Sequence, residues 1–237
     1  MSGNDEPVRI NKFIASSGLC SRRQADELIE RGKVTVNGEI AESGMKVTSG
    51  DLVEVDGKPV YPESGKIYIA LNKPLGITCT TDRRDPSNII DFLGLDERIF
   101  PIGRLDKNSS GLILLTNDGS IVNKLLRAEN EHEKEYFVTL DRPYDESFKS
   151  RMEDGLPILG QKTLPCKVYP EGKRSFKIVL HQGLNRQIRR MCEYLGYRVV
   201  KLKRIRFINI TLGELKPGQW RKLTAQELSG LLKGKTE

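Results

Sequence analysis

The residue types that could do chemistry gather around Asp106. It closes the run Gly103-Arg104-Leu105-Asp106, two positions after a guanidinium, and leads into Ser110-Gly111-Leu112-Ile113-Leu114-Leu115-Thr116-Asn117. A carboxylate at the mouth of an apolar strand, held beside a cation, stays charged and oriented, as a nucleophile or a base requires. Asn72-Lys73-Pro74-Leu75-Gly76 lies before it. Glu133-Lys134-Glu135-Tyr136 and Gly183-Leu184-Asn185-Arg186-Gln187-Ile188-Arg189-Arg190-Met191 lie after it. Tyr136 offers a flat ring with a hydroxyl. Arg186, Arg189 and Arg190 offer planar forks that bind two oxygens at once, a geometry suited to phosphate.

The elements that must position these groups can be read from periodicity. Asn185 to Leu195 has helical spacing, with Ile188, Met191, Cys192 and Leu195 on one face and Arg186, Arg189 and Arg190 opposite. Ser120–Arg127, Glu146–Asp154 and Ala225–Leu232 are also expected to be helical. Ile67–Leu71 and Gly111–Thr116 are near-continuous apolar runs, as in buried central strands. Tyr136–Leu140, Phe176–Leu180 and Phe207–Leu212 alternate as strands do. Strand runs with few helices between them predict an α+β fold with a large mixed or antiparallel sheet flanked by helices.

The first part of the chain has a different pattern. Arg9–Ser16 reads as a short helix with Ile10, Phe13 and Ile14 inward, ended by Gly18. Ser21-Arg22-Arg23-Gln24 has the form of a capping box opening a second helix, whose apolar face is Ala25, Leu28 and Ile29. Gly32 stands where a left-handed residue ends a helix. Lys33–Val36 and Asp51–Val55 read as strands, and Asn37-Gly38 as a hairpin turn. Pro62, Ser64 and Gly65 mark a linker. The expected division is a small α/β module over 1–61, a linker over 62–66, and a larger domain over 67–237.

Charge points to the kind of partner. The net charge is +7, but residues 1–64 carry eight Lys/Arg against eleven Asp/Glu, so the remainder carries +10. Between Gln182 and Arg206 eight basic residues face one acid, Glu193. So one-sided a cluster suits a polyanion, and Arg186, Arg190, Lys201, Lys203 and Arg204 are the expected phosphate contacts. Cys20, Cys79, Cys166 and Cys192 lack metal-ligand spacing, so no metal site is expected and the thiols read as reduced and cytoplasmic. The polar start of the chain is unlike a signal peptide, and no apolar run has the length of a membrane span, so no membrane partner is expected.

The motifs around Asp106, in their order, resemble those of the pseudouridine synthases of the small-subunit and large-subunit rRNA type. The resemblance runs from Arg9 to Leu228, and its start, with Ser21-Arg22-Arg23-Gln24-Ala25 opening the second helix, resembles an S4 RNA-binding domain. By that resemblance Arg9, Lys12, Arg22, Arg23 and Lys33 are the RNA contacts of the small module. The implied reaction is isomerisation of uridine to pseudouridine within RNA, with neither cofactor nor metal. The implied catalytic set is Asp106, Tyr136 and Arg189. Asp106 would start glycosidic cleavage, Arg189 would pair with it, and Tyr136 would stack on the extruded base. Arg104 and Lys73 are implied substrate contacts, and Leu212 the floor beneath the base. The branch it resembles most modifies a uridine in large-subunit rRNA and can also act on a tRNA anticodon stem-loop. A monomer acting on rRNA, as naked RNA or in a ribosomal particle, is therefore expected. The alternative is a non-catalytic, ribosome-associated RNA-binding protein built on the small module.

Overall fold

The computed structural model describes residues 6–63, 65–126 and 132–233. The chain divides into two compact units, Met1–Lys66 and Ile67–Glu237.

The first unit contains β1 (Val8–Arg9), α1 (Ile10–Ser16), α2 (Arg22–Glu30), β2 (Val34–Val36), β3 (Glu39–Ile40), β4 (Lys46–Val47), β5 (Val53–Val55) and β6 (Lys58–Pro59). The Ser21 hydroxyl accepts from Gln24 N while the Gln24 side chain accepts from Ser21 N, so the capping box closes reciprocally. Asn37 and Gly38 both take positive φ, the turn that suits the right-handed twist of β2 and β3. Strands β3-β2-β5-β6 form one sheet, and β1 pairs with β4. Ile10, Phe13 and Ile14 of α1 and Ala25 and Ile29 of α2 pack with Val34, Val47, Val53 and Val55.

The second unit contains β7 (Tyr68–Lys73), α3 (Ile89–Leu93), β8 (Phe100–Ile102), β9 (Ser110–Thr116), α4 (Gly119–Leu126), β10 (Lys134–Leu140), α5 (Glu146–Asp154), β11 (Pro157–Ile158), β12 (Gln161–Lys162), β13 (Lys167–Gly172), β14 (Ser175–Leu180), α6 (Gln187–Tyr194), β15 (Val199–Phe207), β16 (Ile210–Thr211), β17 (Trp220–Lys222) and α7 (Ala225–Lys233). A mixed sheet runs β13-β14-β10-β15-β9-β7-β17, with β8 also on β9 and β16 on β15. Among the described strand pairs only β15–β9 is parallel, and it is short: Lys203 and Arg204 against Ser110 and Gly111. The α+β class expected from the strand runs is the one observed.

Alternation along β9 separates two cores. Leu112 and Leu114 pack with Ala70, Phe207, Ile210, Leu212 and Leu231 on one face. Ile113 and Leu115 pack with Ile69, Leu71, Ile89 and Leu105 on the other. A third core joins β10, β14 and β15 to α5 and α6 through Val138, Phe148, Met152, Ile178, Met191, Cys192 and Leu202.

The structure differs from the sequence reading in several elements, among them helix α3, which was not expected. The expected strand Phe207–Leu212 is a hairpin, with β15 ending at Phe207, Ile208 at φ +56° in the turn, and β16 returning. The main strand lies upstream, where lysines and arginines interrupt the apolar pattern. Strands β8, β13 and β17, each short or at an edge and two of them containing proline, were not expected at all. Arg127, the expected last residue of the helix at α4, lies outside the described residues.

Candidate active site

The loop that carries Asp106 is fixed from several sides. Leu105 is buried and its N–H meets Cys79 Sγ at 3.4 Å. Ser109 N donates to Asp106 O at 3.0 Å, and Gly76 N to Lys107 O at 2.9 Å. The first turns back the chain into β9, and the second ties the Pro74–Ile77 turn to the loop. The Asp106 carboxylate itself remains about one-third exposed, so it is held without being sealed from a substrate.

Gly111 makes the next junction possible. Its φ is +103°, and a Cβ there would run into the backbone carbonyl of Arg204 and lie 2.7 Å from Arg204 N. Only a residue without a side chain lets β9 and β15 approach this closely. That approach brings β15, whose first residue accepts from Arg189, and the loop of Asp106 to one place.

The cation beside Asp106 is Arg186. Its Nη1 lies 3.7 Å from Asp106 Oδ2, and both side chains are partly solvated. Arg186 is not on the helix, which begins at Gln187. It is the preceding residue, held in the left-handed conformation at φ +50°. A non-glycine residue costs about 1 kcal/mol or more there, a strain that clusters at functional sites.

The expected Asp106–Arg189 pair is therefore corrected. Arg189 donates to Asn108 O at 2.7 Å, Ser109 Oγ at 3.4 Å and Val199 O at 3.2 Å. It clamps the backbone just after Asp106 to the start of β15. Its Nε is buried with no partner. Burial, then Arg186, depress its pKa, and the nearby Asp106 acts in the opposite sense. Arg190 is turned back onto Asn185.

Tyr136 lies where two cores meet, packing partly against the one beneath α5 and α6 and partly against the one that contains Leu105. A register shift in the β10–β15 ladder falls between Glu135 and Tyr136 and re-aims the strand there. Arg206 pins this bend, with Nε 2.8 Å from Glu135 and Nη1 2.9 Å from Glu133. This clamp was not read from the sequence, where Arg206 looked like one more member of a basic run.

The remaining expected residues separate. Arg104 is exposed on the Asp106 loop. Lys73 is fully buried, and its Nζ donates to Pro74 O at 2.9 Å and Ile77 O at 2.8 Å. It braces the turn from within and is not placed to touch a substrate. Burial lowers its pKa, against the pull of Cys79 and Asp106. Arg204 is likewise buried, donating from Nε to Leu112 O at 2.7 Å and lying over the Phe207 ring, so it is no surface contact. Leu212 sits with Leu112 and Leu114, on the opposite face of β9 from the core that holds Leu105, so it cannot be the floor of this site. Lys201 and Lys203 are paired with Thr139 and Phe137. These alternate with Val138 and Leu140, so both lysines lie on the sheet face turned away from α5 and α6.

In the first unit, Arg9, Lys12 and Arg22 line one cleft of about 320 Å³ together with Glu6, Asn11 and Lys46. Lys46 was missed because it is alone in its stretch of sequence. Arg23 is exposed outside that cleft. Lys33 is paired with Asp56 at 3.2 Å.

The structure thus brings together a partly exposed carboxylate, a guanidinium beside it, and a second guanidinium holding its loop, with the Tyr136 ring packed against the core that contains Leu105. The chain as a whole is similar to known proteins. Residues 67–194 match the family model for RNA pseudouridylate synthase, and residues 8–53 match that for the S4 domain. The chain belongs to the RNA pseudouridine synthase family. It is 53% identical over 231 residues to the dual-specificity RNA pseudouridine synthase RluF of Escherichia coli (strain K12), covering 97% of this chain and 80% of that one. It is 40% identical to ribosomal large subunit pseudouridine synthase B of Bacillus subtilis (strain 168), covering 94% and 95%. A crystal structure of a pseudouridylate synthase superposes with a TM-score of 0.69 at 29% identity, covering 94% of this chain and 99% of that one. Membership of this family makes the chain an isomerase that converts uridine to pseudouridine in RNA. No helix among the described residues is long and apolar enough to cross a membrane.

Proposed function

We propose that Asp106 is the catalytic carboxylate, that Tyr136 stacks on the extruded uracil, and that the target lies in large-subunit rRNA, with a tRNA stem-loop as second substrate. The observation that carries the first assignment is the partly open Asp106 carboxylate, on a loop fixed through its backbone, facing Arg186 across 3.7 Å. In the reaction the N1–C1′ bond breaks, the uracil turns within the site, and C5 bonds to C1′. The C5 proton leaves and N1 takes one up, so the product is an isomer of the substrate. Asp106 acts at the ribose. Arg186 keeps the carboxylate aimed and Arg189 keeps its loop in place, a positioning role. The Tyr136 ring is a platform that any extruded pyrimidine can use, and its hydroxyl is available for the C5 proton. Extrusion costs a few kcal/mol, which stacking and phosphate contacts to Arg104 and Arg190 offset.

The module over 1–61 holds structured RNA through Arg9, Lys12 and Arg22, with Arg23 and Lys33 as outer contacts. The domain over 67–237 isomerises. The protein works as a monomer in the cytoplasm, and the rRNA target belongs to naked RNA or a ribosomal particle. Identity to an enzyme of dual specificity favours the two-substrate reading. Pseudouridine mapping of rRNA and tRNA from cells lacking the protein tests it. One site should vanish from each RNA, and unchanged maps in both would refute it.

A further inference from the structure

The basic run that looked like a single footprint in the sequence is split by the sheet. Arg186, Arg189 and Arg190 are at the site, whereas Lys201 and Lys203 project from the other face. On that face the ladder aligns Tyr169, Lys177, Phe137 and Lys203 in one row across β13, β14, β10 and β15. The row alternates aromatic ring and cation. Lys201 lies on the same face, two residues along β15, and Lys167 likewise on β13. Tyr169 is 49% exposed, and Phe137 is half-buried between two lysine stems.

Two ordinary explanations fall short. Lysines on an edge strand guard against sheet-to-sheet pairing, but Lys177, Lys201 and Lys203 are on inner strands. Lysines also solvate a face by pairing with acids. Here Glu171 is taken by Lys177, and Glu135 by Arg206. Lys167, Lys201 and Lys203 have no ion-pair partner among the described residues. The face therefore has surplus positive charge beside the exposed Tyr169 ring and the half-buried Phe137 ring.

We propose that this sheet face is a second RNA-contact surface, which holds a single-stranded segment of the substrate away from the active site. Flat rings on adjacent strands, flanked by cations, suit unpaired bases and their phosphates. Strands about 4.8 Å apart give the four-residue row a span of roughly 14 Å, enough for two or three nucleotides. The inference rests on RNA being the substrate.

The test compares two RNAs, a minimal stem-loop containing the target uridine and the same stem-loop with a single-stranded flank. Each phosphate contact contributes a salt slope of about 0.7, or about fourfold in affinity at about 0.15 M salt. Lys201→Glu with Lys203→Glu should therefore lose at least about tenfold more affinity for the flanked RNA than for the minimal one. Equal losses, or none, would overturn the proposal. A 4-thiouridine in the flank, photolysed with the unaltered protein, supplies a reading that does not depend on variant folding. Crosslinks should map to residues 167–177 or 199–207, and crosslinks only elsewhere would overturn it. Failure of the parent reading looks different, because the unaltered protein would then isomerise neither RNA.

Discussion

Gly111→Ala tests how the site is assembled. The residue sits at φ +103°, where a Cβ costs about 1–2 kcal/mol. The added carbon would also strike the Arg204 carbonyl and lie 2.7 Å from Arg204 N. Both are backbone atoms, so no side-chain rotation relieves the contact, and β15 must move off β9. Overpacking of this kind costs about 1–3 kcal/mol. The combined loss is about 2–5 kcal/mol, which for a domain of this size lowers the melting temperature by about 5–15 °C. The same displacement separates the Asp106 loop from the Arg186 and Arg189 side of the site. A misplacement of about 1 Å costs on the order of a hundredfold in rate. The assays are calorimetry and single-turnover isomerisation well below the melting point. Gly119→Ala is the control: that residue has no left-handed φ, and its Cβ would meet Phe100 at an ordinary 3.8 Å. If Gly111→Ala matched Gly119→Ala in both assays, the close β9–β15 crossing would not be what assembles the site.

Other predictions follow from the same contacts. Arg189→Lys keeps the charge but cannot reach Asn108 O and Val199 O together, so kcat should fall about a hundredfold or more while RNA affinity changes less than about threefold. Equal losses in both would make Arg189 an RNA contact instead. Glu227 receives both Nη atoms of Arg221, at 2.6 and 2.7 Å, and its pKa is held down to about 2 chiefly by that pair. A depressed carboxylate stabilises the fold above its ordinary 4.5, and that contribution is lost as pH falls through about 2. Glu227→Gln should cost about 1–2 kcal/mol at neutral pH, a gap that closes between about pH 4.5 and 2 in denaturant titrations. A gap that stayed constant with pH would refute the assignment.

Local signals were legible where one short stretch decides the outcome. Ser21 and Gln24 are three residues apart and close their box without outside help. Asn37-Gly38 sets its own turn. Ile113 and Leu115 were legible as core because β9 is buried on both faces. Strand β15 was not, because Lys201, Lys203, Arg204 and Arg206 break the apolar alternation, for three different reasons. Arg204 is inside with Leu112 O as its acceptor, Arg206 answers Glu133 and Glu135, and the two lysines lie on the sheet face away from α5 and α6, Lys201 exposed and Lys203 half-buried. The family motifs pointed to Asp106 and paired it with Arg189, whereas the cation beside it is Arg186. A helical wheel carries Arg186, Arg189 and Arg190 around one cylinder, whereas Arg186 leaves the cylinder at φ +50° and points elsewhere. Lys73 was misread for a related reason. Its burial is stabilised by the carbonyls of Pro74 and Ile77, acceptors that exist only once the turn has folded.

Asp106→Asn is the most direct test. The substitution removes the charge and leaves the shape, so binding to a target stem-loop should stay within about threefold of the unaltered protein. Tritium release from C5-labelled uridine should fall to background. Turnover at even about one per cent of the original rate would show that another group starts the reaction.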